Sequence, residues 1–357
     1  MSIPSHMKAV VLEEYNKSYQ IKTVPTPQHV GPYDLLVKIT AASFCHTELM
    51  VADGEFKSPL PIIPSHEPVG IVIKAGNKVT KFKPGDHVGS ICSYGMCEKC
   101  PDCVRGMFVY CTKKKSVGIT MNGGMSEYAL LDSRSSAKIP DSLPAEKAAP
   151  LMCAGATIYQ AIKKAAACGL PKGGVVGIFG LGGLGHLGTQ FAKALGYRVV
   201  AIDVKDAPLE LVKSHRLKPD MTINLAKEKP FDASKRITRE LRSHENIPFD
   251  GLDAAIVATD PVGAFVGAID LLSRHGLLVV VGQPKDPIPI RYIDVIFKDI
   301  RVVGSLLCEA DVMQEMLDLT AAERVEIKTK SFKMDDVNDL VDAYHKGTYG
   351  GKLVVKL

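Results

Sequence analysis

A chain of 357 residues is long for one typical domain and suits two that share an interface. Its 46% hydrophobic content provides for a sizeable core, and 44 Lys and Arg against 39 Asp and Glu leave a net +5 spread along the chain, which argues against nucleic-acid and membrane partners. No run approaches the ~18 apolar residues of a membrane span, and the opening MSIPSHMKAVVLEE has neither a signal-peptide nor a transit-peptide pattern, so a cytoplasmic, reducing compartment is expected.

In chain order, the first part reads as short strands divided by Gly and Pro: Lys8–Leu12, Leu35–Ile39, Val69–Ile73 and Tyr128–Leu131, with turns at Pro59–Pro64 and Lys83–Asp86. From Thr157 the rhythm changes. A helical spacing over Thr157–Ala167 leads to an apolar strand, Val175–Phe179, then a glycine cluster, a helix over His186–Leu195 and a strand over Arg198–Asp203. Buried-strand runs recur at Leu252–Ala258 and Leu277–Gly282 around a helical Val262–Leu272. Strand and helix in alternation predict a parallel sheet covered on both faces. The C-terminal part adds a strand over Arg301–Leu307, helices near Val312–Thr320 and Val337–Tyr344, and a last strand, Lys352–Lys356.

Gly180-Leu181-Gly182-Gly183-Leu184-Gly185 sits directly between a strand and a helix. Glycines in this spacing permit a tight turn, the approach of a pyrophosphate to bare backbone, and close helix–strand packing, while the helix N-terminus faces the phosphates. Asp203 ends the next strand, at the separation where a carboxylate accepts bonds from an adenosine ribose; its charge would repel a 2′-phosphate and favours NAD over NADP. Lys205, two residues on, pulls the other way by offering a cation to such a phosphate.

Nine cysteines are an odd number, and four crowd together as C-x2-C-x2-C-x7-C: Cys97, Cys100, Cys103 and Cys111. In a reducing compartment this spacing favours a closed four-thiolate zinc site with a structural role over disulfides. A nucleic-acid-binding zinc module is the rival reading, since Lys113, Lys114 and Lys115 follow, but no accompanying recognition motif supports it. Cys45, His66 and Cys153 make up a Cys₂His set that leaves one coordination position open. Their wide separation means that spacing alone does not assemble them.

Taken together, CHTEL at 45–49, SHEPVG at 65–70, the four-cysteine lobe, CAGATIYQAIK at 153–163, GLGGLGHLG at 180–188 and Gly351-Lys352 resemble the zinc-containing medium-chain alcohol dehydrogenases, especially the yeast-like microbial branch. The resemblance covers nearly the whole chain. It implies an α/β protein with a GroES-like, β-rich catalytic domain (residues 1–156 and 298–357) and an inserted Rossmann domain with a doubly wound parallel sheet (residues 157–297). It implies a catalytic zinc on Cys45, His66 and Cys153, with Glu67 just behind it, and a carboxylate supporting those ligands at Glu48, where Asp is usual. It implies contacts of His46 and Lys352 with the pyrophosphate, two zinc ions per chain, NAD as cofactor and a homotetramer.

The implied reaction moves a hydride between a primary or secondary alcohol and NAD, with zinc as Lewis acid and Thr47 hydrogen-bonded to the reacting oxygen. Two departures from the family pattern stand out. Ser65 replaces the Gly usual before His-Glu, and Met50 takes the place of the outer histidine of the proton relay. Phe56 and Cys92 stand where ethanol-specific relatives have pocket-narrowing tryptophans, so a roomier pocket and substrates larger than ethanol are expected. Within the same superfamily, a polyol dehydrogenase and an NADP-preferring aldehyde reductase are the alternatives.

Overall fold

The computed structural model describes residues 3–243, 249–347 and 349–357. The chain forms two compact units: residues 1–156, 308–321 and 327–357 make one, and residues 157–307 and 322–326 the other.

The second unit is built on a six-stranded parallel sheet. In chain order its strands are Val175–Phe179, Arg198–Asp203, Met221–Asn224, Leu252–Val257, Leu272–Val280 and Arg301–Gly304. Counted that way, their spatial order is 3-2-1-4-5-6, the doubly wound arrangement of a Rossmann fold. All five residues of Val175–Phe179 are buried, as expected of a central strand covered on both faces. The order reverses between the first and fourth strands, and the glycine cluster follows the first of them. The apolar runs around this point are packed with Phe265, Ile269 and Leu271 of the helix Val262–Leu271.

In this unit the elements differ from the expectation where the pattern was short or continuous. The strand expected at Leu277–Gly282 begins at Leu272, interrupted by a register shift against its neighbour. Met221–Asn224, only four residues long, carries too little alternation to stand out. The strand Arg301–Gly304 pairs in parallel with Leu272–Val280, so this unit continues to Leu307; the expected boundary at 298 would cut its last strand from its sheet.

The first unit is β-rich. A seven-stranded sheet runs Thr329–Lys333, Lys352–Lys356, Asp34–Phe44, Glu67–Ala75, His87–Ser90 and Ser136–Lys138, with Tyr128–Asp132 also paired to Asp34–Phe44. Its core includes Val10, Leu35, Val37, Phe44, Val72 and Leu353. The C-terminal strand lies antiparallel to Asp34–Phe44 with Leu353 opposite Phe44, and Ser43 lies opposite Glu67. Three remote pieces of sequence, near residues 45, 67 and 352, are thereby drawn to one end of one sheet. No helix among the described residues is long and apolar enough to cross a membrane.

Candidate active site and metal centres

Asp34–Phe44 ends one residue before Cys45, and the short helix His46–Ala52 starts immediately after it. Glu48, in the first turn of that helix, accepts the Cys45 N–H through Oε2 at 2.7 Å. Its other oxygen, Oε1, lies 2.6 Å from His66 Nδ1 and accepts the His66 N–H at 3.1 Å. Glu48 is wholly buried, so this one carboxylate ties the two sequence pieces together and fixes the histidine ring. Glu48, standing where Asp is usual, thus touches His66 directly.

Ser65 has φ +76, the left-handed conformation expected to be costly for a side chain. The serine offsets part of that strain: its hydroxyl donates to Ser43 O at 2.8 Å and accepts the Glu67 N–H at 3.3 Å. Cys153 follows the 3₁₀ turn Ala149–Met152 and precedes the helix Ala154–Ala167.

One ligand atom each from Cys45, His66, Glu67 and Cys153 lies within 4.8 Å of the other three. The cluster is electrostatically tense. A hydrogen bond from Cys153 holds the Cys45 thiol well below its usual range against the effect of burial, with Lys352 and His66 adding to the pull, and Cys153 is pushed up in turn. Burial works against a charged His66, but Glu48 and the Cys153 sulfur outweigh it and push its pKa well up. Burial raises the Glu67 carboxyl to about 7 despite the nearby Lys352. Glu67 Oε1 holds the buried Lys352 ammonium at 2.8 Å, whereas Glu67 Oε2 is buried without a hydrogen-bond partner. Soft sulfurs, an imidazole and an orphaned carboxylate oxygen converging in a buried site match the donor set of an open-position zinc centre.

Cys97, Cys100, Cys103 and Cys111 form the second such cluster. The Cys97 and Cys103 sulfurs are 3.9 Å apart and those of Cys111 and Cys97 3.6 Å apart. Disulfide sulfurs lie about 2.05 Å apart, and a tetrahedron with bonds of about 2.3 Å has edges of about 3.8 Å, so the lobe has the dimensions of a thiolate cage. Backbone N–H groups already point at the sulfurs: Cys100 N donates to Cys97 Sγ at 3.3 Å and Cys97 N to Cys111 Sγ at 3.4 Å. Bonds from the Lys99 and Cys100 N–H groups hold the Cys97 thiol below its usual range.

In the Rossmann unit, Gly180 has φ +81. A Cβ on Gly185 would come within 2.0 Å of Gly180 O, whereas one on Gly182 would meet nothing within 4 Å. The loop is closed where helix meets strand and open where a phosphate would lie. Leu184 precedes the first turn of the helix Gly185–Ala194, and Gly183 lies between it and the open position. Asp203 Oδ2 accepts the Leu181 N–H at 2.8 Å, and Oδ1 accepts those of Val204 and Lys205 at 2.8 and 3.0 Å. Beside it is a recess of about 390 Å³ with Asp203 and Thr259 among its polar walls and Val204, Leu225, Pro261 and Ala264 among its apolar ones, a fit for an adenosine moiety. Lys205 is exposed at the start of the helix Asp206–Ser214.

The remaining expected residues are less closely drawn together. His46 is exposed and Thr47 half-buried on their short helix. Phe56 is 41% exposed, while Cys92 is buried, its carbonyl accepting the Val117 N–H at 2.8 Å. Sequence reasoning did not single out Tyr344, whose ring lies beside those of Phe44 and His46, or Tyr349, whose ring is 5.8 Å from that of Tyr344. The available signal was the pair of aromatics shortly before Gly351-Lys352.

Comparison with known proteins settles the lineage. Residues 31–141 match the alcohol dehydrogenase GroES-like domain and residues 183–322 the zinc-binding dehydrogenase domain. An alcohol dehydrogenase of Geobacillus stearothermophilus is 36% identical over 353 residues, 98% of this chain and 100% of that one. The chain belongs to the zinc-containing alcohol dehydrogenase family. A cinnamyl alcohol dehydrogenase of Arabidopsis thaliana shares 32% identity over 92% of this chain and 89% of its own length. Among solved structures, the alcohol dehydrogenase of the archaeon Aeropyrum pernix superposes with a TM-score of 0.83 at 30% identity, covering 98% of this chain and 100% of that one. The GroES-like and Rossmann units expected of this family are both present.

Proposed function

We propose that this member of the family oxidises primary or secondary alcohols, and reduces the corresponding aldehydes or ketones, with NAD as the preferred cofactor. The observation that carries the reading is the convergence of Cys45, His66, Glu67 and Cys153 in a buried cluster, on a chain that also carries an open dinucleotide loop. When bound, zinc supplies Lewis acidity toward the substrate oxygen and the nicotinamide accepts or supplies the hydride.

The chain's own residues do the rest. Cys45, His66 and Cys153 are the zinc ligands, and Glu48 fixes the ring orientation of His66. Glu67 is the reserve carboxylate, tethered through Lys352. Thr47 hydrogen-bonds the reacting oxygen and hands its proton outward, a path on which Met50, with no titratable group, cannot take part. The glycine loop receives the pyrophosphate, and Asp203 the adenosine ribose. In this reading residues 1–156 with the C-terminal segment form the catalytic domain, the second zinc in the four-cysteine lobe is structural, and the protein works as a cytoplasmic homotetramer.

Cys92 in place of an indole favours bulky apolar or aromatic alcohols, each added buried CH₂ contributing about 0.8 kcal/mol. The name of the Arabidopsis relative, a cinnamyl alcohol dehydrogenase, points the same way.

The test is reduction of NAD and NADP with a panel from ethanol to benzyl alcohol, followed by nicotinamide absorbance. Turnover with NAD and a higher kcat/KM for benzyl alcohol are expected; a preference for ethanol removes the roomy pocket, and no turnover removes the reading. Metal analysis should give two zinc ions per chain. Cys45→Ala should abolish turnover with little loss of melting temperature, while Cys100→Ala should lower the melting temperature, since a lost closed site removes folding free energy.

A further inference from the structure

Two thiolates separated by two residues meet at one ion when the backbone between them turns sharply and aims its N–H groups back at the sulfur. In Cys97-Glu98-Lys99-Cys100 that turn falls on Glu98, whose φ of +58 is left-handed and carries a cost for any residue with a Cβ. The turn is put to use. The Lys99 and Cys100 N–H groups both bond Cys97 Sγ, the latter at 3.3 Å. Burial and the thiols of Cys111 and Cys100 push the Cys103 thiol up, and the Glu98 N–H works against them.

Arg134 reaches this turn from the sheet. It lies in the 3₁₀ turn Ser133–Ser135, just after the strand Tyr128–Asp132. Its guanidinium grips the buried Asp132 with two bonds, Nε to Oδ1 at 2.9 Å and Nη2 to Oδ2 at 2.7 Å, and sits 4.2 Å from the centre of the Tyr33 ring. A guanidinium held by two bonds and a ring face has little freedom left, so Asp132 sets the direction of Nη1. That nitrogen donates to Glu98 Oε1 at 2.8 Å and to Met96 O at 3.3 Å. Asp132 Oδ2 also accepts the Gly95 N–H at 2.9 Å. One rigid pair thus holds residues 95, 96 and 98, on both sides of Cys97, and Met96 packs with Cys103 and Cys111.

We propose that Arg134 is a positioning residue for the lobe metal: by holding Met96 O and the Glu98 side chain it keeps the Cys97–Cys100 turn in the shape that meets the ion, and so slows the ion's release. The proposal rests on the reading of the four-cysteine lobe as a zinc site. An ion pair with a half-exposed member adds little to overall stability, so its effect falls on local opening of the turn. Glu98→Ala keeps the cost of the left-handed turn and loses the tether, whereas Glu98→Gly loses both.

The experiment follows zinc release from the full-length holoenzyme to an excess of chromogenic chelator, for the parent, Glu98→Ala, Glu98→Gly, Arg134→Ala and the Glu98→Ala/Arg134→Ala double variant, each checked by thermal melting. The release phase that persists in Cys45→Ala is that of the lobe. Expected in Glu98→Ala is lobe release about twofold to fivefold faster than in the parent, of the order of one partly exposed ion pair. Arg134→Ala, which also frees Met96 O, should be faster still, Glu98→Gly near the parent, and the double variant no faster than Arg134→Ala alone. Parent-like release in Glu98→Ala overturns the proposal. So does a double variant accelerated by the product of the two single effects, because an arginine acting only through Asp132 would not share its effect with Glu98. A parent with no lobe phase removes the lobe zinc itself, and the inference built on it falls too.

Discussion

Individual side chains decide how well the ligand cluster is held, and Glu48 is the clearest case. Its two oxygens serve Cys45 N–H and His66 at once, so Glu48→Ala leaves a buried ring and a buried donor without their acceptor. Zinc retention and kcat/KM should fall by about 10- to 100-fold, as with other supports of metal-ligating histidines; Glu48→Gln, which keeps one acceptor oxygen, should lie between. Native zinc content in Glu48→Ala would show that the carboxylate does not orient the ligand. Ser65 gives an opposed pair of effects. Ser65→Gly relieves the left-handed strain, about 1 kcal/mol, but loses the hydroxyl's bond to Ser43 O, about 1 kcal/mol, so its stability in denaturant should be nearly unchanged. Ser65→Ala keeps the strain and loses the bond, so it should be about 1 kcal/mol less stable. The identities of Cys45, His66, Glu67 and Cys153 were legible as chemistry, but their meeting was implied only by the family resemblance and not by their spacing. Sequence separation conceals the antiparallel pairing of Phe44 with Leu353 and of Ser43 with Glu67 that brings residues 45, 67 and 352 together.

The glycine loop is the element that sequence expressed most directly, because its strand, turn and helix are contiguous and each has its own local signature. The contacts of Asp203 were not legible in the same way. Besides facing the adenosine recess, its carboxylate accepts the Leu181 N–H inside the loop. Asp203→Ser should therefore do two things. Removing the charge should raise the use of NADP relative to NAD, while losing the clamp on Leu181 should weaken affinity for both cofactors. The check is KM for each cofactor; a ratio unchanged from the parent would remove Asp203 from cofactor selection, whatever happens to the two values. The last strand, Arg301–Gly304, shows the opposite limit. A strand was expected over Arg301–Leu307, but a short apolar run says nothing about which sheet it joins, and only the pairing of Arg301–Gly304 with Leu272–Val280 assigns it to the Rossmann unit.

At the scale of the molecule, the arrangement of the parallel sheet followed from alternation, since a strand that must be covered on both faces reads as a continuous apolar run. A surface that remains uncovered in the single chain does not announce itself in that way. The helix Tyr292–Ile296 and the residue after it expose Tyr292 at 72%, Ile296 at 67% and Phe297 at 61%, with Ile293 and Val295 near half. They precede Arg301–Gly304, which stands at the edge of its sheet and exposes Val302. An apolar stretch leading into an unpaired strand edge is a liability in a lone chain, one that pairing with a second copy would remove. This surface therefore supports the proposed homo-oligomer, for which a two-fold, edge-to-edge contact is the simplest closed arrangement. Phe297→Asp and Ile296→Asp place charges in that contact while altering exposed positions, so the isolated fold should survive. Light scattering after size exclusion should show a smaller species than the parent, with melting temperature dependent on protein concentration. A parent and variants of the same mass would mean that this face is not where the copies meet.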